Sequence, residues 1–113
     1  MKNKIASLSK SDDFRSILNG EKLANRYFTI FFTKLAKKKK NYLNISIVAK
    51  KKLGTAVRRN KIKRRLRNIM TEAIKKININ YDYSYLIIAK KTVLNDEYSN
   101  IKSVLFSNFE RIK

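Results

Sequence analysis

Between Glu21 and Glu72 the chain carries seventeen basic residues and not one acid. Like charges at that density repel, so the interval cannot collapse around its own side chains. It folds only if a separate set of apolar residues forms the interior and turns the cations outward, where an external anion neutralises them. The whole sequence shares the bias, with 113 residues, 28 Lys or Arg, 8 Asp or Glu and a net charge of +20. Its 43% apolar content falls in periodic blocks, which separates it from disordered polycations. The length suits a single RNA-binding domain, residues 1–113, whose modest core buries roughly two-thirds of the surface that the unfolded chain exposes.

Cysteine and histidine are both absent. Disulfides, zinc sites of the Cys/His type, cysteine nucleophiles and histidine-based triads are therefore excluded. No catalytic residue and no metal ligand is assigned, and the composition points to a polyanion binder. No window approaches the ~18 apolar residues of a membrane span, and the N-terminal segment lacks a signal-peptide core. A soluble, cytoplasmic protein without membrane contact is expected.

Periodicity divides the chain into short elements. Ser11 caps a helix through about Asn19, with Phe14, Ile17 and Leu18 on one face and Gly20 as its stop. A brief extended piece, Lys22 to Ala24, turns at Asn25-Arg26 into an aromatic, β-branched strand, Tyr27 to Thr33. Lys37 to Lys40 reads as a solvated loop, and Tyr42 to Ala49 as another strand. Gly54 ends that strand before the longest helical pattern, residues 56 to about 77. There Ile62, Leu66, Ile69, Met70, Ala73 and Ile77 share a sector of about 100°. A buried strand follows from Tyr83 to Ala89, and Asn95 caps a last amphipathic helix. The order αβββαβα predicts an α+β fold, a mixed α/β sandwich on a small four-stranded sheet.

Two features carry function. Five of the eight arginines, Arg58, Arg59, Arg64, Arg65 and Arg67, crowd the start of the long helix, where guanidinium forks engage phosphates and Asn60 offers both donor and acceptor. In the aromatic strand, alternation sends Phe28 and Phe32 to one face and Tyr27, Thr29 and Phe31 to the other. With one face in the core, the second is either an open platform for unpaired bases or further packing. Tyr81, Tyr83 and Tyr85 read as packing residues with wet hydroxyls.

At LGTAVRRNKIKRRLR the sequence resembles the protein subunit of bacterial ribonuclease P. Lys51, Lys52, Gly54, Ala56, Val57, Arg59, Asn60, Lys63, Arg64 and Arg67 fall in register with that family's long basic signature. The LSKSDDFRSIL start, Ala24-Asn25-Arg26 and LIIAKK extend the likeness across nearly the whole chain. Lys61, Lys90, Ser84, Val48 and Leu18 depart from the family's usual residues.

The resemblance implies a ribosomal protein S5 domain 2-like fold. It also implies a ribonucleoprotein that removes the 5′ leader of precursor tRNA, with the RNA subunit and its Mg²⁺ ions performing hydrolysis. The protein itself would bind no cofactor and would act as a monomer with one RNA subunit. Arg59, Asn60, Lys61, Arg64 and Arg65 would contact the catalytic RNA. Phe14, Leu18, Thr29, Phe31, Val48 and Lys52 would line a leader cleft, with Lys63 and Arg67 at its edge. A small ribosomal or other structural RNA-binding protein is the alternative, followed by a membrane-surface or DNA-compacting protein.

Overall fold

The computed structural model describes residues 4–7, 11–35 and 42–112. The elements run β1 (Lys4–Ala6), α1 (Ser11–Leu18), β2 (Glu21–Ala24), β3 (Phe28–Thr33), β4 (Tyr42–Val48), a 3₁₀ turn (Lys51–Leu53), α2 (Ala56–Lys76), β5 (Ser84–Ala89), α3 (Thr92–Asn95) and α4 (Tyr98–Arg111). The strands form one sheet in the order β1-β4-β5-β3-β2, with β1 and β5 parallel to β4 and the other pairs antiparallel.

Strand alternation gives the sheet two unlike faces. Phe28, Ile30 and Phe32 are buried in β3, and they pair across to Ala89, Ile87 and Tyr85 of β5. This face receives the apolar stripe of α2 (Ile62, Leu66, Ile69, Met70, Ala73) and that of α4 (Ile101, Leu105, Phe109) in one continuous core. The cations of α2 are thereby directed away from the interior, as the sequence demands. The opposite face carries Thr29, Phe31 and Thr33, which are only half-buried. Helix α1 covers part of it against β3 and β5, inserting the fully buried Ile17. Gly20 ends this helix at a close approach: a Cβ there would stand 2.6 Å from the carbonyl oxygen of Phe32.

The class and the order of the expected elements hold, with additions. The sheet has five strands rather than four, because Lys4–Ala6 pairs with Tyr42–Asn44 at the far edge. Three residues carry no alternation that a sequence pattern could register. Asn95 ends the one-turn helix α3 instead of capping the last helix, whose N-cap is Glu97. Asp96 steadies the entry to that helix: its carboxylate accepts from the Glu97 amide at 2.7 Å and from Asn100 Nδ2 at 3.0 Å. Ser11's side chain and the Lys37 to Lys40 run lie outside the described residues.

Polar contacts secure the start of β3. Asn25 Oδ1 accepts from the amides of Tyr27 at 2.8 Å and Phe28 at 3.0 Å, shaping the β2–β3 turn. The Tyr27 hydroxyl donates to Asp96 Oδ2. Tyr85 is fully buried and its hydroxyl donates to the Asn80 carbonyl at 2.6 Å, so it is not wet as its neighbours' spacing suggested. Burial foremost, with Tyr83, Asp82 and Tyr81 adding to it, pushes that hydroxyl's pKa up.

The hydrogen bond from Tyr27, helped by those from Asn100 and the Glu97 amide, holds the Asp96 carboxyl down at about 2 against an ordinary 3.8. A carboxyl with a lowered folded pKa stabilises the fold above its unfolded value, and that contribution is lost as pH falls through the folded one. Thermal melts taken from pH 5 down to about pH 2 should therefore lose stability more steeply in the wild type than in Asp96→Asn. Equal slopes would remove Asp96 from the acid response.

Candidate nucleic-acid interface

The basic helix starts from two local devices. Gly54 adopts φ 129°, a conformation that L side chains rarely accept, and turns the chain out of the 3₁₀ turn. Thr55 then caps α2, its hydroxyl accepting from the Arg58 amide at 3.3 Å. With Ile62, Leu66 and Ile69 inward, the helical repeat leaves Val57, Asn60, Lys61 and Arg64 along the outer crest, all exposed. Val57 is 68% exposed, an apolar contact point among cations. No acid occupies the first turn, so the positive helix terminus adds to the charge of the side chains.

Two arginines of the run behave differently from the crest. Arg59 is half-buried, and its Nε is shielded from solvent without a hydrogen-bond partner in the protein. Arg65 reaches toward the chain itself: Nη1 donates to the carbonyl oxygens of Val93 at 2.5 Å and Asp96 at 3.3 Å. On the same flank Glu72 accepts from the Tyr98 hydroxyl at 2.8 Å and Lys102 Nζ at 3.3 Å, joining α2 to α4. Those two bonds, Tyr98's first, lower the Glu72 pKa. Burial and the Glu72 bond push the Tyr98 hydroxyl up to about 12.

A second surface opens on the α1 side of the sheet. Strands β4 and β5 are parallel neighbours, so both end on the same side of the sheet, and lysines follow each, beyond Ala49 after β4 and directly after β5. Lys50 and Lys52 after β4 and Lys90 and Lys91 after β5 surround a cavity of about 350 Å³. Thr29, Leu53, Ile88 and Ala89 complete its lining. Cations thus rim a largely apolar floor, a form suited to a single-stranded polyanion with phosphates at the rim and bases within.

Thr29 and Lys52 are the expected leader residues that line this cavity. Phe31 and Val48 lie on the same sheet face, pairing with Leu86 and Ile88 of β5. Phe14 is half-buried and Leu18 is 45% exposed on α1, which covers the adjoining part of that face. Lys63 and Arg67 stand on α2, which packs against the opposite face of the sheet. Lys50, Lys90, Lys91 and Ile88 join the lining in addition to the expected residues. Their signal is a lysine triplet (50–52) and a lysine doublet (90–91) following two apolar strands, and it becomes legible only once those strands are known to be parallel neighbours.

The whole chain, residues 1–113, matches the protein family described as Ribonuclease P. It is 38% identical over 102 residues to the ribonuclease P protein component of Carboxydothermus hydrogenoformans, covering 88% of this chain and 84% of that relative. The Bacillus cereus ribonuclease P protein component is 34% identical over 105 residues, covering 92% and 88%. Among solved structures, the ribonuclease P protein of Thermotoga maritima superposes with a TM-score of 0.79 at 28% identity, covering 96% of this chain and 98% of that one. The Staphylococcus aureus ribonuclease P protein gives a TM-score of 0.74 at 28% identity over 94% and 93%.

The connection between the cleft and the basic helix is testable at Gly54. A Cβ there would approach Arg58 Cδ at 2.7 Å, which a flexible side chain can relieve, whereas the backbone at φ 129° cannot relax locally. Gly54→Ala should cost about 1–3 kcal/mol in urea denaturation. A variant as stable as wild type would show that this turn is not held.

Proposed function

The chain belongs to the ribonuclease P protein family, and from that membership we propose how its two surfaces divide the work of the enzyme. It is a protein component of ribonuclease P, an endoribonuclease of tRNA processing. On our reading, the exposed crest of α2 docks on the catalytic RNA subunit through Asn60, Lys61 and Arg64, with the half-buried Arg59 beside them. The lysine-rimmed cleft holds the single-stranded 5′ leader of precursor tRNA, with Phe31 extending its floor. One protein monomer serves one RNA subunit, in the cytoplasm. Among the described residues no helix is long and apolar enough to cross a membrane.

Hydrolysis is assigned to the RNA. Among the described residues no group of three Asp, Glu, His or Cys side chains comes together to hold a metal ion. On this reading the Mg²⁺ ions sit on RNA phosphates, and the protein's part is to lower the repulsion between two RNA molecules. The observation that carries this reading is the cleft itself. A structural RNA-binding protein needs the α2 crest alone, whereas a second, basic-rimmed groove on the other side of the sheet fits a separate unpaired strand.

Arg64→Ala and Arg59→Ala should each weaken binding to the RNA subunit and reduce the salt slope of log K by about 1. An unchanged slope in both would remove the crest from the docking face. Phe31→Ala tests the cleft. It should cost ~1–3 kcal/mol of affinity for precursors with several leader nucleotides and nothing for mature tRNA. Its stability should fall well short of the ~3–5 kcal/mol lost on truncating the fully buried Phe28. A core-sized loss with no leader dependence would make Phe31 a packing residue.

A further inference from the structure

Arg65 lies in the middle of the basic run, yet its Nη1 spends its donors on the carbonyl oxygens of Val93 and Asp96. Val93 is fully buried and Arg65 itself half-buried, so the nitrogen is turned toward the protein. The carbonyls belong to the C-terminal end of α3, where a cation also complements the backbone dipoles.

The segment that Arg65 grips is continuous with the cleft. Lys90 and Lys91 line the cavity and lead directly into α3. The Val93 amide donates to the Lys90 carbonyl at 3.2 Å and the Leu94 amide to the Lys91 carbonyl at 3.1 Å, so the rim and α3 form one folded turn. Other bonds fix the opposite side of that turn. Thr92 Oγ1 donates to the Arg26 carbonyl at 2.5 Å, and the Lys90 amide to the Tyr27 carbonyl at 2.8 Å. Lys90 Nζ itself donates to the Asn25 carbonyl at 2.5 Å, which directs its stem along the β2–β3 turn.

We infer that Arg65 is a positioning residue for leader binding: its hold on the Val93 and Asp96 carbonyls sets where the Lys90–Lys91 rim stands over the cleft. Arg65 acts through α3 and touches neither the RNA subunit nor the leader. The inference rests on the cleft being the leader site.

Arg65→Ala, assembled with the RNA subunit, should weaken binding of long-leader precursor roughly three- to tenfold while binding of a one-nucleotide-leader precursor is unchanged. The affinity of the protein for the RNA subunit and its salt slope should match wild type. Thr92→Val removes the bond to the Arg26 carbonyl without altering charge and should give the same leader-specific loss, which answers the question even if Arg65→Ala fails to fold. A lower RNA-subunit affinity with a salt slope reduced by about 1 and leader dependence intact would make Arg65 a phosphate contact and overturn the inference. Intact leader dependence in both folded variants would overturn it too. Phe31→Ala separates this from failure of the cleft: if leader dependence is lost in Phe31→Ala alone, the positioning role falls, and if it persists in all three variants, the leader site is elsewhere.

Discussion

Mutual repulsion among the cations governs how this chain is arranged. At +20 over 113 residues, every element must bury apolar surface while keeping basic side chains apart and wet. Helix α2 shows the solution in one element: Ile62, Leu66, Ile69, Met70 and Ala73 are fully buried, and Asn60, Lys61 and Arg64 stand exposed opposite them. The scarce acids are used locally. Asp96 draws together the Tyr27 hydroxyl, the Asn100 side chain and the start of α4, and Glu72 ties α2 to Tyr98 and Lys102. Neither carboxylate stands among the crest cations, so that face keeps its full charge.

The same constraint explains why there are two basic surfaces and why they are separate. Placing every cation on α2 would concentrate repulsion on one helix. The sheet spreads it, because β4 and β5 end side by side and each delivers lysines to the same edge. The floor between those lysines is apolar, and the alternation that fills the core with Phe28, Ile30 and Phe32 leaves Thr29 and Phe31 on the other face. One strand therefore serves the interior with alternate residues and the opposite face with the rest, where Thr29 lines the cleft. Lys90 and Arg65 belong to both descriptions, since each carries positive charge and each hydrogen-bonds backbone carbonyls that shape the rim.

Much of this was legible in the residues. The period of α2, the alternation in β3 and the breaking glycine at position 54 specify elements through local chemistry, and the structure places them within a residue or two of expectation. The family follows from the long basic signature. What escaped depended on contacts distant in sequence. Strand β1 exists only because β4 offers it an edge, and three residues hold no periodic signal. Tyr85 loses its water because Asn80 meets its hydroxyl inside the fold. Arg65 looks like its neighbours in a run of cations until the turn at 92–95 is brought beneath it, twenty-eight residues on at Val93. The cleft lysines were visible as a triplet and a doublet, but only a parallel β4–β5 pairing makes them converge.

On the proposed division of labour, the protein contributes positive charge and a strand-binding groove while the RNA performs the cleavage. The most direct measurement is cleavage of precursor tRNA as a function of Mg²⁺, with rigorously RNA-free protein, with the RNA subunit alone, and with both. The protein should give no cleavage, the RNA should cleave only at high Mg²⁺, and the two combined should shift to markedly lower Mg²⁺. Cleavage of the precursor by the protein alone, or an unchanged Mg²⁺ requirement in the assembled enzyme, would contradict this division of labour.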